Sequence, residues 1–493
     1  MTERSTMATG ATTRGGTVDF AAVRPERADV RAFLARELTS AAGRGHDVQL
    51  VMPAPRASLD VFIALSGEQA SVLWDPPRQA SEEGDAAGVA GLGVARVVAP
   101  PPDEQGEPRA WAAAVRAGAE ATLAALGVVR HDGAPANLTP GPRLFGGLAF
   151  APYATAEPEW RAFGRGLFVL PRWQYTLDAE RAWLSVVVDG RELDAALIES
   201  EMTRFESLWD GLAGGSEPPR TARPRPGVVL ERRDRAEWEA KVSEIRDAIR
   251  AGEVEKVVAA RRSVVRFDGP VDAGPVLRRL GERFDGCTRF AMWRGGAVFF
   301  GATPERLVER RGRRVFTEAL AGSIGRGGAA DLLASGKDRE EHALVVRAIV
   351  QALRPLCSEL HAARAPRIRE LPNLLHMETP IEGRLSDDRH VLELVAALHP
   401  TPAVGGVPTD AAMRWIATRE QAPRGWYAAP FGWFDAQGDG RFVVALRSGL
   451  IAGDHAYVYA GAGVVRDSEP AAEYDETELK MQPVLGALDA GER

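Results

Sequence analysis

The order of patterns across residues 236–490 constrains the fold more than any single motif. AEWEAKVSEIRDAIRAG carries a helical apolar period that ends at Gly252. It leads directly into EKVVAARRSVVRF, a strand pattern. AVFFGATPERLVERRGRRVFTEAL then predicts a strand, a turn and a hairpin through Arg311 and Gly312, with RRGRR as a solvated turn. KDREEHALVVRAIVQALRPL predicts a helix with Glu340, Arg347, Gln351 and Arg354 on one line and His342, Val346, Ile349 and Leu353 on the opposite one. RFVVALRSGLI and HAYVYAGAGVV predict a strand pair, followed from Ser468 to about Met481 by a helix with a serine cap and a proline in its first turn. Antiparallel hairpins interleaved with long helices point to α+β layers and away from regular βαβ winding.

The N-terminal half reads as scaffold. VQLVMP, LFGGLAF, LFVLPRWQYTL and AWLSVVV are strand patterns, and ALIESEMTRFESLWDGL is a helical one. Two stretches rich in Pro, Gly and charge, residues 75–108 and 211–235, read as loops or linkers. The organisation expected is a flexible tail over 1–16, an N-terminal scaffold part over 17–210, a linker or surface loop over 211–235 and a chemistry-bearing part over 236–490. No repeat at solenoid spacing is present.

Sixty-one basic residues against 68 acidic ones give a net charge of −7, so no global positive field is available to hold a phosphate backbone, and nucleic acid is excluded as an expected partner. The apolar runs VVRAIVQAL, AVFFGA and FVVAL fall well short of the roughly 18 residues that a membrane-spanning helix needs, so no membrane partner is expected. The opening MTERSTMATGATTRGG lacks the apolar stretch of a secretory signal. With Cys287 and Cys357 as its two cysteines, the chain has no disulfide framework, and a reducing cytoplasm is the expected location.

Several residues invite chemistry, each beside a plainer alternative. Glu341 stands in the first turn of its helix on the flank of the apolar face, where it is either a dipole-stabilised acid or one that must be paired, protonated or bound to a cation. Glu473, Glu476 and Lys480 share one helical face; spacing allows a surface Glu–Lys pair or, with a third acid, a hard-oxygen site suited to Mg²⁺. Gly461 and Gly463 in AGAGVV allow a backbone anion nest or a tight turn. Arg447, on the face of Val443 and Ala445 by period two, needs a carboxylate partner or reaches solvent at an edge. Lys256 is a base if its site is dry, or a solvated strand-start lysine. Glu305 ends the AVFFGAT strand as a presented acid or a turn residue, and His376 and His399 read as core histidines.

Together, EKVVAAR, FFGATPERL, TEALAGS, KDREEH, LLHMETPIEG, LHPTPAVGG, RGWYAAPFGW, VVALRSGLI, AGAGVV and EYDETELK occur in an order that resembles the chorismate-utilising enzyme family over about residues 238–485. FGGLAF and LPRWQYTL resemble its N-terminal part. Lysine at 256 and the LHPTPAVGG segment are most similar to the isochorismate synthase branch. The resemblance implies two packed antiparallel sheets with helices outside, a monomer, and chorismate as small-molecule substrate. The product would feed menaquinone, a siderophore or another aromatic metabolite. By the same resemblance, Lys256 deprotonates the water that attacks ring carbon 2 and Glu305 protonates the hydroxyl leaving carbon 4. Glu341 and Glu476 hold Mg²⁺, with Glu473 in the same shell. Arg447, Tyr427, Lys480, Gly461 and Gly463 hold substrate carboxylates, while His376 and Gly322 line the ring. Ala429 stands where relatives commonly have glycine. The rival expectations are a salicylate synthase, in which pyruvate is then eliminated, and an inactive chorismate-binding protein.

Overall fold

The computed structural model describes residues 26–77, 87–101, 108–131, 140–152, 157–215, 228–232, 235–325, 327–372, 374–420 and 422–489. The expected tail over 1–16 lies outside them. Twenty-one strands among the described residues join in one continuous hydrogen-bonded network that curls on itself, with helices packed against it. Among the described residues, Asp47–Pro53 beside Gly127–Arg130 is the one parallel pair. This is the α+β class that the interleaved hairpins require. Hydrogen bonding does not divide the strands into two sheets, but the core does divide. Val72, Trp74 and Phe299 enter one apolar cluster, whereas Leu73, Val298 and Phe300 enter a second, because successive strand residues point to opposite faces.

Strands from both halves of the chain pair with each other. Ala70–Asp75 lies beside Thr288–Arg294, and Arg143–Leu148 beside Pro430–Asp435. The segment 211–235 is in part regular structure. Residues 211–214 finish the helix Ala195–Gly214, and Val228–Arg232 is a strand on Lys256–Arg266. Residues 75–108 likewise contain an 11-residue strand, Gly88–Val98, paired with Ala70–Asp75 and Gly166–Leu177. Its glycines disguise it as loop, yet a Cβ on Gly91 would stand 2.7 Å from Ser71 Oγ and 2.9 Å from Pro171 Cβ. Glycine is there because a neighbouring strand comes too close for any side chain.

Three local expectations need correction. RFVVALRSGLI is two strands, Gly440–Val444 and Ser448–Ala452, and the chain changes neighbours between them. Arg447 occupies that change with φ of +47°, a left-handed conformation that L side chains rarely adopt. Ser468 does not cap the last helix. Its hydroxyl accepts from the Val465 N–H, while the helix Pro470–Ala487 begins with Pro470 in its first turn. Within RRGRR, Arg310 is buried against Asp388 and Asp439 instead of being solvated.

Candidate active site

A cavity of about 450 Å³ opens where strand ends meet two helices, a size suited to a small organic ligand. The helix Gly336–Leu353, capped by Ser335, places Glu341 on its wall, and Pro470–Ala487 adds Glu473, Glu476 and Lys480. Glu305, Gly322, His376, Tyr427, Arg447, Gly461 and Gly463 also line it. Lys256 lies just behind. Its side chain is fully buried, and Nζ donates to Glu341 Oε1 at 2.8 Å.

Glu305 follows the end of the strand Ala297–Thr303. Its N–H donates to Thr303 Oγ1 and its carbonyl accepts from the Val444 N–H, so the backbone is pinned on both sides. The side chain has no ion-pair partner among the described residues. Burial, reinforced by Glu318, pushes its pKa up to about 8 against the pull of Lys256, Lys480 and Arg369. A carboxyl in that state keeps its proton at neutral pH and can donate it.

Arg447 and His376 form one unit. Arg447 Nη2 donates to His376 Nε2 at 3.2 Å, so that nitrogen accepts. The ring hydrogen is then on Nδ1, which meets the Gly322 carbonyl at 3.3 Å and Ser323 Oγ at 3.0 Å. Burial and the Arg447 charge hold the His376 pKa well below its ordinary value, consistent with a neutral ring. Arg447 Nη1 is buried without a hydrogen-bond partner among the described residues. No carboxylate among the described residues neutralises this guanidinium, so the carboxylate partner expected for Arg447 is not supplied by the protein. A buried, cavity-lining guanidinium with an unused donor is suited to an anionic ligand. Gly322, with φ of +77°, forms the irregular step between Ala321 and Ser323 in the strand Arg314–Gly325. A side chain there would strain the backbone that accepts from His376.

Gly461 and Gly463 do not form a nest. Both lie in the extended strand His455–Val464, opposite Ala260 and Val258 of Lys256–Arg266. Their role is close approach. A Cβ on Gly463 would sit 2.7 Å from Glu341 Oε1 and 2.8 Å from Lys256 Cε, and one on Gly461 2.8 Å from the Ala259 carbonyl oxygen and 3.3 Å from Tyr427 Oη. Lys480 Nζ donates to the Gly461 carbonyl at 3.1 Å and pairs with Glu476 Oε1 at 2.8 Å. Burial opposes its charge, but the Glu476 carboxylate outweighs that and raises its pKa.

Tyr427 is buried and stacks on Tyr459, with ring centroids 5.3 Å apart. Burial pushes its phenol up to about 12, so it remains a neutral donor. The left-handed residue beside it is Ala428, with φ of +60°, and not Ala429. Replacement of glycine at 429 therefore meets no requirement for positive φ. His399 stays a core histidine, its Nε2 against the Phe150 carbonyl at 3.1 Å.

The three carboxylates Glu341, Glu473 and Glu476 face one cavity and include no soft ligand, a donor set that suits Mg²⁺. As placed, Glu341 is turned onto Lys256 and Glu476 onto Lys480, and among the described residues no three His, Cys, Asp or Glu side chains are grouped to hold a metal ion. The sequence reading overlooked Tyr459 and Glu318. Tyr459 is two residues before Gly461 on the same strand face, so period two could have found it; Glu318 is an acid inside an apolar strand run, which is itself a signal of a buried partner.

A family model described as chorismate binding enzyme matches residues 69–489. The chain is 40% identical over 359 residues to the salicylate biosynthesis isochorismate synthase of Pseudomonas aeruginosa, covering 71% of this chain and 75% of that one. It is 37% identical over 364 residues to the isochorismate synthase MenF of Bacillus subtilis, covering 72% and 76%. Its fold is similar to that of MenF, the menaquinone-specific isochorismate synthase from Escherichia coli, with a TM-score of 0.70 at 24% identity over 93% of this chain and 99% of that one. The match across both halves, to a fold whose cavity collects the residues described above, establishes that this chain belongs to the family of chorismate-binding enzymes.

Proposed function

We propose that the protein converts chorismate to isochorismate. The observation that carries this reading is Glu305, a buried carboxyl on the cavity wall whose pKa of about 8 leaves it protonated at neutral pH. Naming of the relatives as isochorismate synthases supports the same reaction. In it, an oxygen–carbon bond forms at ring carbon 2, the two ring double bonds shift, and the bond from carbon 4 to its hydroxyl breaks. Lys256 accepts the proton of the attacking water, and Glu305 supplies one to the departing hydroxide, so protons balance. A base and an acid of this kind each lower such a barrier by typically 10²- to 10⁴-fold. Lys256 can serve only when its contact with Glu341 is given up.

Arg447 binds a substrate carboxylate, with Tyr427 assisting from the turn before the strand Pro430–Asp435 and Lys480 from the helix Pro470–Ala487. His376, kept neutral, holds the Arg447 guanidinium in place. Glu341, Glu473 and Glu476 would hold Mg²⁺, which when bound offsets the charge of the ring carboxylate and orients it.

Chorismate turnover in ¹⁸O-labelled water, with early product analysed by mass spectrometry, tests the reading. Label at carbon 2 of isochorismate is expected. Unlabelled isochorismate refutes water attack, and salicylate with pyruvate in its place establishes the eliminating reaction instead.

A further inference from the structure

Beside the backbone of Glu305 a second carboxylate is fixed. Glu318, in the strand Arg314–Gly325, is only 5% exposed and is not among the residues lining the cavity. Its Oε1 accepts from the N–H of Arg306, the peptide immediately after Glu305, at 3.1 Å, and from Arg369 Nη1 at 3.0 Å. Its Oε2 accepts from Arg306 Nη2 at 3.2 Å. Both arginines are anchored in turn, Arg306 to Glu309 at 3.0 Å and Arg369 to the Gly286 carbonyl at 3.2 Å. Burial alone would raise the Glu318 pKa, but the two guanidiniums overcome it and hold this carboxylate below its ordinary value. Two neighbouring buried carboxyl groups cannot both ionise cheaply, and the arginines decide which one does.

On the reading of Glu305 as proton donor, we propose that Glu318 is its positioning residue: clamped as an anion by Arg306 and Arg369, it fixes the Glu305–Arg306 peptide and keeps the adjacent Glu305 carboxyl in possession of its proton. The other titratable groups that bear on Glu305 are Lys256, Lys480 and Arg369, all three of which act against Glu318, and the Tyr427 phenol, which burial keeps neutral. Glu318 thus acts on the reaction entirely through Glu305 and touches no substrate.

The test compares pH profiles of kcat/KM for chorismate turnover by the full-length chain as wild type, Glu318→Gln and Glu305→Gln, with circular dichroism across the same range. Wild-type activity is expected to fall above about pH 8, the Glu305 value. Glu318→Gln keeps an acceptor for the Arg306 N–H but removes the charge, so its fall begins at least about one pH unit lower. A merely structural role would lower the whole profile without moving the inflection. An unmoved inflection in folded Glu318→Gln overturns the proposal and leaves Glu305 as donor. If Glu305→Gln retains wild-type rate and inflection, the donor assignment falls and takes the proposal with it. Should Glu318→Gln not fold, Glu318→Gln/Arg369→Gln removes opposite charges together and leaves Arg306 with Glu309. The same downward shift, smaller because Arg369 is also gone, supports the proposal, and its absence overturns it.

Discussion

Gly463→Ala adds one methyl group at the narrowest point of the site. Its Cβ would lie 2.7 Å from Glu341 Oε1, 2.8 Å from Lys256 Cε and 3.2 Å from Lys256 Nζ, against an ordinary contact of 3.4–4 Å. Both partners must therefore give way, Glu341 Oε1 by about 0.7 Å and Lys256 Cε by about 0.6 Å, to restore a 3.4 Å contact. Glu341 can swing into the cavity, where it is part-exposed, but Lys256 is enclosed and its Cε has little space. Overpacking of this kind costs about 1–3 kcal/mol of stability. Displacement of a reacting group by roughly 1 Å can cost 10²-fold in rate. The expected outcome is a folded protein with a lowered melting temperature and a kcat reduced by about 10²-fold, with KM changed much less. Steady-state assays of isochorismate formation beside thermal melts measure both. Gly269→Ala is the control, because its added Cβ meets nothing within 4 Å and its φ is not positive. If Gly463→Ala matches that control in rate and melting temperature, the contact between Gly463 and the Lys256–Glu341 pair has no part in catalysis and the assignment of Lys256 as base loses its structural support.

Glu305→Gln should lose roughly 10²-fold or more in kcat with little change in KM, and a rise in KM alone would assign Glu305 to binding. The same substitution carries a stability signature. The native pKa of about 8 lies above the unfolded value of 4.5, so the native state holds an extra proton between them. Stability is thus fully present below about pH 4.5 and is lost as pH rises toward 8, by at most roughly 5 kcal/mol. Denaturant melts from pH 5 to 9 should show a decline in wild type that Glu305→Gln flattens, and parallel declines would contradict the buried carboxyl. Arg447→Lys removes the donor to His376 Nε2 and the two-pronged approach to a carboxylate, raising KM for chorismate by roughly 10- to 100-fold while the fold persists; an unchanged KM would place the substrate elsewhere. Exhaustive EDTA treatment should abolish turnover and Mg²⁺ restore it, with Glu341→Gln weakening Mg²⁺ binding measured by calorimetry; turnover that survives EDTA would remove the metal from the proposal.

What the sequence determined by itself was local. Periodicity located the helices Arg235–Arg250 and Gly336–Leu353 and the hairpin joining Arg306–Arg311 to Arg314–Gly325, because helix and strand repeats are properties of neighbouring residues. The ordered motifs also pointed to Glu305, Glu341, His376, Tyr427, Arg447, Glu473, Glu476 and Lys480 on the cavity wall and to Lys256 behind it, but not to Tyr459. Contacts between distant segments were decided only by the tertiary structure. The strand Gly88–Val98 reads locally as loop because its glycines answer to distant neighbours, Gly91 to Ser71 and Pro171 and Gly88 to Leu59, which no local pattern reveals. Gly461 and Gly463 looked like an anion nest because a glycine's freedom to turn and its lack of volume have the same spelling; here lack of volume counts, since Lys256, Glu341 and Tyr427 approach from other elements. Arg447 matched a strand by period two, but the chain changes neighbours there and adopts a left-handed backbone. Above all, a carboxyl's proton affinity is set by what surrounds it. The spelling of residue 305 is that of any glutamate, and the raised pKa that makes it an acid comes from burial and from Glu318, itself held charged by Arg306 and Arg369 across three separate strands.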